Sequence, residues 1–281
     1  DVYKRQIYRA TAKDPIKTVT NAGPYNGGPF PARLHIPGTV QNGNVVDSVV
    51  VIYDEPTKTM HEFFYWRWNG GAPTAAIHRV YSALSTGHTQ PGGTIVGTSA
   101  SGMSTAFGIL RGHEFNVPGK KIQHVLQMAV DARGKCGMML GKNIVWPASS
   151  RDGFCSAAGN CTGALSYGSL LAIPPGANVS KLGLSEPGAR LAETLKNYGV
   201  YVVDNSQCPM MRADQTLKST IRSQLITDMK KLYPLLRMIK NNTKDQTTSG
   251  NGAARAPNCA VGAGRPPKTN INGICGSAHG V

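Results

Sequence analysis

The sequence predicts a mainly β protein, a β-sandwich or jelly-roll-like fold carrying two α-helices in its C-terminal half. Three observations predict it. Glycine (33 residues) and proline (18) are abundant in the 281-residue chain, while charged residues make up only 16%; that is the balance of a turn-rich sheet protein, not of a helical bundle. The β-branched and aromatic runs are separated by long loops and do not alternate with helices, which disfavours a parallel α/β sheet. Helical periodicity is confined to the stretch after residue 185.

Residues 1–48, with NAGPYNGGPFP, read as an irregular entry segment, and the opening DVYKRQ reads as a translated sequencing adapter, so that any signal peptide would have been lost with the natural start. VVVIYD (49–54) is a strand rich in β-branched residues, EPTK a turn, and MHEFFYWRW the returning arm of a hairpin. Residues 69–100 are loop-like, and KKIQHVLQMAVD (120–131) alternates as a strand with one buried face. A loop-rich stretch holding IVWPASS follows. SEPGARLAETLKNYG is a helix with Ser185 as its N-cap, Pro187 in its first turn and Gly199 after its end. It leads into the buried strand VYVVD. A second helix carries Leu217, Ile221, Leu225, Met229 and Leu232 on one face and stops at Pro234. These elements make one β-rich domain over 49–240, followed by a Gly/Asn/Pro-rich tail over 241–281.

Thirty Lys and Arg against fifteen Asp and Glu give a net charge of +15. The excess favours an anionic partner: nucleic acid, an acidic polysaccharide or an anionic cell wall. The six cysteines form no CxxC pair, and no histidine stands at zinc-finger spacing, so neither metal nor cofactor is expected. Their even number points to disulfides and a secreted or extracellular location, with Cys155–Cys161 and Cys259–Cys275 the nearest neighbours to pair. No apolar run reaches the roughly eighteen residues of a membrane span, so no membrane insertion is expected. TSASG (98–102) is neither a nucleophile elbow nor a phosphate-binding loop. The oligomeric state is left open.

The motifs GPFP (28–31), VVVIYD with HEFFYW, TSASGMSTAFGILRGHEF, IQHVLQMAV, VWPAS and ARLAETLKNYGVYVVDN together resemble a family of secreted bacterial β-rich proteins, some linked to carbohydrate-binding modules. The resemblance covers about residues 24 to 240. It implies that Asp54, Glu62, Glu114, His124, Trp146 and the Asp204-Asn205 pair fall on pattern positions. His113 stands where that pattern has Asp, Gln127 where it has Arg, and the histidine usual near Val49 is missing.

Chemistry is expected first in the aromatic strand. Alternation would put Glu62 on one face with Trp66 and Trp68, a wall for stacking sugar rings with an acid set into it. Glu62 and Glu114 are candidate acid/base carboxylates and His124 an alternative base, although a histidine on an apolar stripe is commonly a core residue. Asp204, at a strand end, completes the catalytic candidates. Gln123, Gln127 and Asp131 would share a polar face for sugar hydroxyls, joined by Asn205 and by Trp146 as a further stacking residue. The reading is a secreted polysaccharide-active enzyme, a glycoside hydrolase or lyase. Its alternatives are a non-catalytic carbohydrate- or wall-binding module and a structural extracellular or virion protein.

Overall fold

The computed structural model describes residues 2–25, 27–42, 47–68, 71–85, 87, 95–240 and 242–243. Beyond 242–243, the expected tail and its Cys259–Cys275 pair lie outside the described residues. In chain order the strands are β1 (Val2–Ala10), β2 (Ile16–Asn21), β3 (Ala32–His35), β4 (Val50–Asp54), β5 (Thr59–Phe64), β6 (Thr74–Ala75), β7 (Ile77–Ser82), β8 (Leu126–Asp131), β9 (Leu140–Ile144), β10 (Leu165–Tyr167), β11 (Leu170–Ala172), β12 (Val200–Ser206), β13 (Met210–Asp214) and β14 (Arg237–Met238). The α-helices are α1 (Gly112–Phe115), α2 (Glu186–Asn197) and α3 (Ser219–Leu232). The architecture is therefore mainly β, with α2 and α3 in the C-terminal half.

Nine strands form one mixed sheet in the order β14-β11-β12-β8-β13-β1-β4-β5-β7, and β3-β2-β6 form a second sheet of three. Within the large sheet β1 runs parallel to both β13 and β4, and β8 runs parallel to β12. The register of β1 puts Met211 and Ala213 on the same side of the sheet as Val50 and Ile52. That side has two covers. Helices α2 and α3 press Leu191, Leu195, Leu225 and Met229 onto Leu126, Met128, Val200 and Met211. The small sheet lays Val19 and Leu34 on Val50, Ile52 and Phe63. On the opposite side the segment 95–111 crosses the strands, packing Val96, Phe107 and Ile109 against Ile7, Val51, Tyr53 and Met60. Gly108, at φ 72, permits the close crossing: a Cβ there would stand 2.7 Å from the Gln127 side chain.

The local signals in the sequence act as expected at the hairpin and at α2. Residues 55–58 turn β4 into β5 with Ile52 opposite His61 and Val51 opposite Glu62. Ser185 Oγ accepts the Gly188 N–H at 3.2 Å, and Gly199 leaves the helix at φ 77. Asp228 of α3 accepts the Ser185 N–H at 3.0 Å and its hydroxyl at 2.5 Å, which ties the two helices together.

Other expectations need correction. Residues 1–48 are not irregular, since β1 lies in the middle of the large sheet, pairing with β13 through residues 2–5 and with β4 through residues 6–10, and β2 and β3 supply two strands of the small one. The stretch 69–100 contains β6 and the edge strand β7. Within 120–131 only Leu126–Asp131 is a strand, and all six of its residues are buried. Covers on both faces demand apolar or satisfied residues throughout, so one-sided alternation does not apply there. Of the expected disulfides, Cys155–Cys161 is present with Cα atoms 5.1 Å apart, and Cys136–Cys208 joins the segment after β8 to the β12–β13 turn. Both fit an oxidising environment.

Candidate functional site

Glu62 lies on β5 beneath the 95–111 segment, with no exposed surface. Its Oε1 accepts from the Tyr81 hydroxyl, the Ser104 hydroxyl at 2.7 Å and the N–H groups of Thr105 and Ala106 at 2.8 and 3.3 Å. Its Oε2 accepts from the N–H and hydroxyl of Thr98 at 2.7 and 2.9 Å. Five of these six donors belong to the crossing segment and the sixth, Tyr81, to β7, so the carboxylate clamps that segment onto the sheet. Glu62 does not share a face with Trp66 and Trp68, because β5 ends at Phe64 and Tyr65 takes φ 63. That left-handed residue breaks the two-residue period. Trp66 consequently packs beside Phe63, ring centroids 5.2 Å apart, and is wholly buried under the small sheet. Trp68 is half-buried, its Nε1 donating to Gly71 O at 2.9 Å and Lys17 standing over its ring.

Glu114 on α1 and His124 meet at 3.0 Å, both buried. His124 Nδ1 faces its neighbour's carbonyl, Val125 O, at 2.9 Å. Burial works against the Glu114 charge, but the charge and hydrogen bond of His124, with Arg111 and His113 behind them, outweigh it and lower the carboxyl pKa. The pair fastens α1 to the segment before β8. Gln123 is exposed and precedes the strand. Gln127 is buried and donates to Ser104 O at 2.8 Å. Asp131 is buried as well, accepting from the N–H groups of Arg133 at 2.7 Å and Cys136 at 2.6 Å. Burial opposes its charge, yet those donors with Lys135 and Gly134 hold its pKa below the usual value. The expected polar binding face is therefore not assembled.

A second buried cluster joins β5 to β7. His78 Nδ1–H donates to Pro29 O at 2.8 Å, which leaves its Nε2 to accept from His61 Nδ1–H at 3.0 Å. Burial, then the charge of His78, lowers the His61 pKa to about 3. Burial lowers that of His78 too.

Polar groups do converge at the carboxyl ends of the parallel strands β8 and β12. Asp204, partly exposed at 19% of its side chain, pairs with the buried Arg212 of β13. Arg212 Nη1 donates to Ser99 Oγ at 2.6 Å. Asn205 takes Asp204 Oδ1 with its N–H at 3.0 Å and gives its side-chain amide to Asp152 Oδ2 at 2.5 Å. Asp152 also caps the short turn Gly153–Ser156, its Oδ1 accepting from Phe154 N at 2.8 Å. Tyr167 is buried behind them, hydrogen-bonded to Asn205, and burial with the Asp204 charge raises its pKa. Trp146, half-buried, begins the loop that carries Ser149, Ser150 and Asp152, and that loop is pinned by Ser149 N–H to Ser101 O at 2.9 Å.

Of the residues singled out in the sequence, the structure thus brings Asp204, Asn205 and the Trp146 loop together. It keeps Glu62 apart from them, and Glu114 with His124 as a separate pair. Among the described residues no group of three His, Cys, Asp or Glu side chains could hold a metal ion. Arg212, Ser99, Asp152 and Tyr167 were not foreseen. A charge inside the apolar run MMRAD is the one signal that pointed to Arg212, since a buried strand tolerates an arginine only beside a partner. Comparison with protein-family models, with curated proteins and with solved structures returned no match to this chain.

Proposed function

We propose that the chain is an exported, glycan-active enzyme whose acid–base pair is Asp152 and Asp204. The observation that carries this reading is Asn205, one residue whose backbone and side chain hold two partly exposed carboxylates from distant segments. Hydrolysis of a glycosidic bond needs such a pair: one carboxylic acid to protonate the leaving oxygen and one carboxylate to attack the sugar or activate water. Asp204, fixed by Arg212, suits the base or nucleophile, and Asp152 then serves as proton donor. Asn205 offers an amide to sugar hydroxyls, and Trp146 on the neighbouring loop offers a ring for stacking. Two disulfides around the same end support export.

The test is release of reducing ends or unsaturated products from a broad glycan panel. Asp152→Asn should cut turnover by about 100-fold or more, the usual contribution of a positioned acid or base. A chain that binds glycans yet releases no product from any of them would instead be a binding module.

A further inference from the structure

We propose that the cavity between β9 and the Cys155–Cys161 loop is a subsite for a uronate carboxylate, so that the glycan is an acidic one. This rests on the carboxylate pair proposed above and names the substrate class of the same site. The cavity, about 400 Å³, is lined by Lys142, Asn143 and residues 155–163.

Its charge is one-signed. Lys142 projects from an exposed position on β9, and Arg151 donates to the Lys142 carbonyl at 2.7 Å, which brings a guanidinium to the same rim. Arg133 lies over the Phe154 ring, 5.2 Å from its centroid. Among the described residues none of these three cations has an ion-pair partner. Neither β9 nor the 155–163 loop contains an acidic residue. The acid nearest in sequence, Asp152, has both oxygens engaged, by Phe154 N–H and by Asn205.

The loop also supplies uncharged donors. Among the described residues the N–H groups of Ala158 and Gly159 have no acceptor, and Gly159 turns the chain at φ 81. Adjacent N–H groups in such a turn, with a cation opposite, recognise a carboxylate by charge-assisted hydrogen bonds. The disulfide and the bond from Cys161 N–H to Ala132 O hold the loop before any ligand arrives, which removes an ordering cost from binding. The subsite adjoins the proposed chemistry directly. Asp152 heads the loop that lines it, and Cys155 Sγ lies 3.2 Å from the Tyr167 hydroxyl.

The experiment is calorimetric titration of the full, oxidised chain with oligogalacturonate, hyaluronan and alginate fragments, each paired with its neutral methyl ester. At least one acid should bind about tenfold more tightly than its ester, as charge-assisted bonds to a carboxylate predict. Lys142→Glu, an exposed change checked by an unaltered melting temperature, should erase that gap, and Arg151→Ala should narrow it. Asp152→Asn should leave the gap in place, because the carboxylate subsite is separate from the acid–base pair. A wild-type chain with no preference for acid over ester, including one that binds neither, overturns the proposal. So does a gap that survives in Lys142→Glu. Full turnover by Asp152→Asn and Asp204→Asn would instead remove the acid–base reading while leaving the acid-against-ester comparison intact.

Discussion

Glu62 and Asp204 stand at the two ends of one hydrogen-bonded chain, and they face opposite conditions. From Glu62 the chain runs through the Thr98 and Thr105 hydroxyls at 2.9 and 2.8 Å, then Ser99 Oγ at 3.3 Å, to Arg212 and Asp204. At the Glu62 end six donors enclose a carboxylate with no exposed surface. At the Asp204 end the side chain is partly open and a second carboxylate, Asp152, is one asparagine away. A carboxylate is a clamp in one place and a candidate reactive group in the other. What separates them is the count of internal donors and the access of a ligand, neither of which depends on the residue's identity.

The comparison can be broken by substitution. Glu62→Ala strands several buried donors and opens a cavity, so it should cost about 3–5 kcal/mol in denaturant unfolding, near the upper range for single changes. Asp152→Asn keeps the side chain's shape at a partly exposed position, so its stability should move by about 1 kcal/mol or less while turnover collapses. If Glu62→Ala unfolds no more easily than wild type, the clamp does not exist as described.

Buried and open groups also differ on the β4–β5–β7 side. The folded His61 pKa of about 3 lies below the ordinary value near 6.5, so the unfolded chain binds more protons between those limits. Stability must then rise with pH through that window: it is complete above about pH 6.5 and falls on acidification. Between pH 6.5 and 5 this one group should cost about 2 kcal/mol, and His61→Phe should flatten the slope by about one proton. The two tryptophans give the smallest contrast. Trp66→Ala removes a wholly buried ring and should cost about 4 kcal/mol, whereas Trp68→Ala, half-exposed, should cost about 1 kcal/mol.

What the sequence revealed follows from how local each cause is. The β4–β5 hairpin and α2 were legible because a turn, a cap and a terminating glycine act within a few residues of one another. β7 was hidden because IHRVYS carries too few apolar residues to stand out; its place at the sheet edge beside β5 supplies the order instead. β1 was set aside with the adapter-like opening, and β2 and β3 were masked by the glycine and proline of 23–31; the partners of β1 and the β6 partner of β2 also lie far along the chain. Alternation identified Met60 and Glu62 as one face correctly but failed at Tyr65, where a positive φ left no mark in the pattern. Asp204 and Asn205 were found because they close a buried strand. Asp152 and Ser99 were not, since only the folded chain brings a capping aspartate and a loop serine to that strand end.

The central claim is that chemistry resides at the Asp152–Asp204 end and not at Glu62. Product release by the full chain, compared between wild type and Asp152→Asn at matched melting temperature, tests it most directly. The account predicts a loss of about 100-fold or more. Unchanged product release would contradict it.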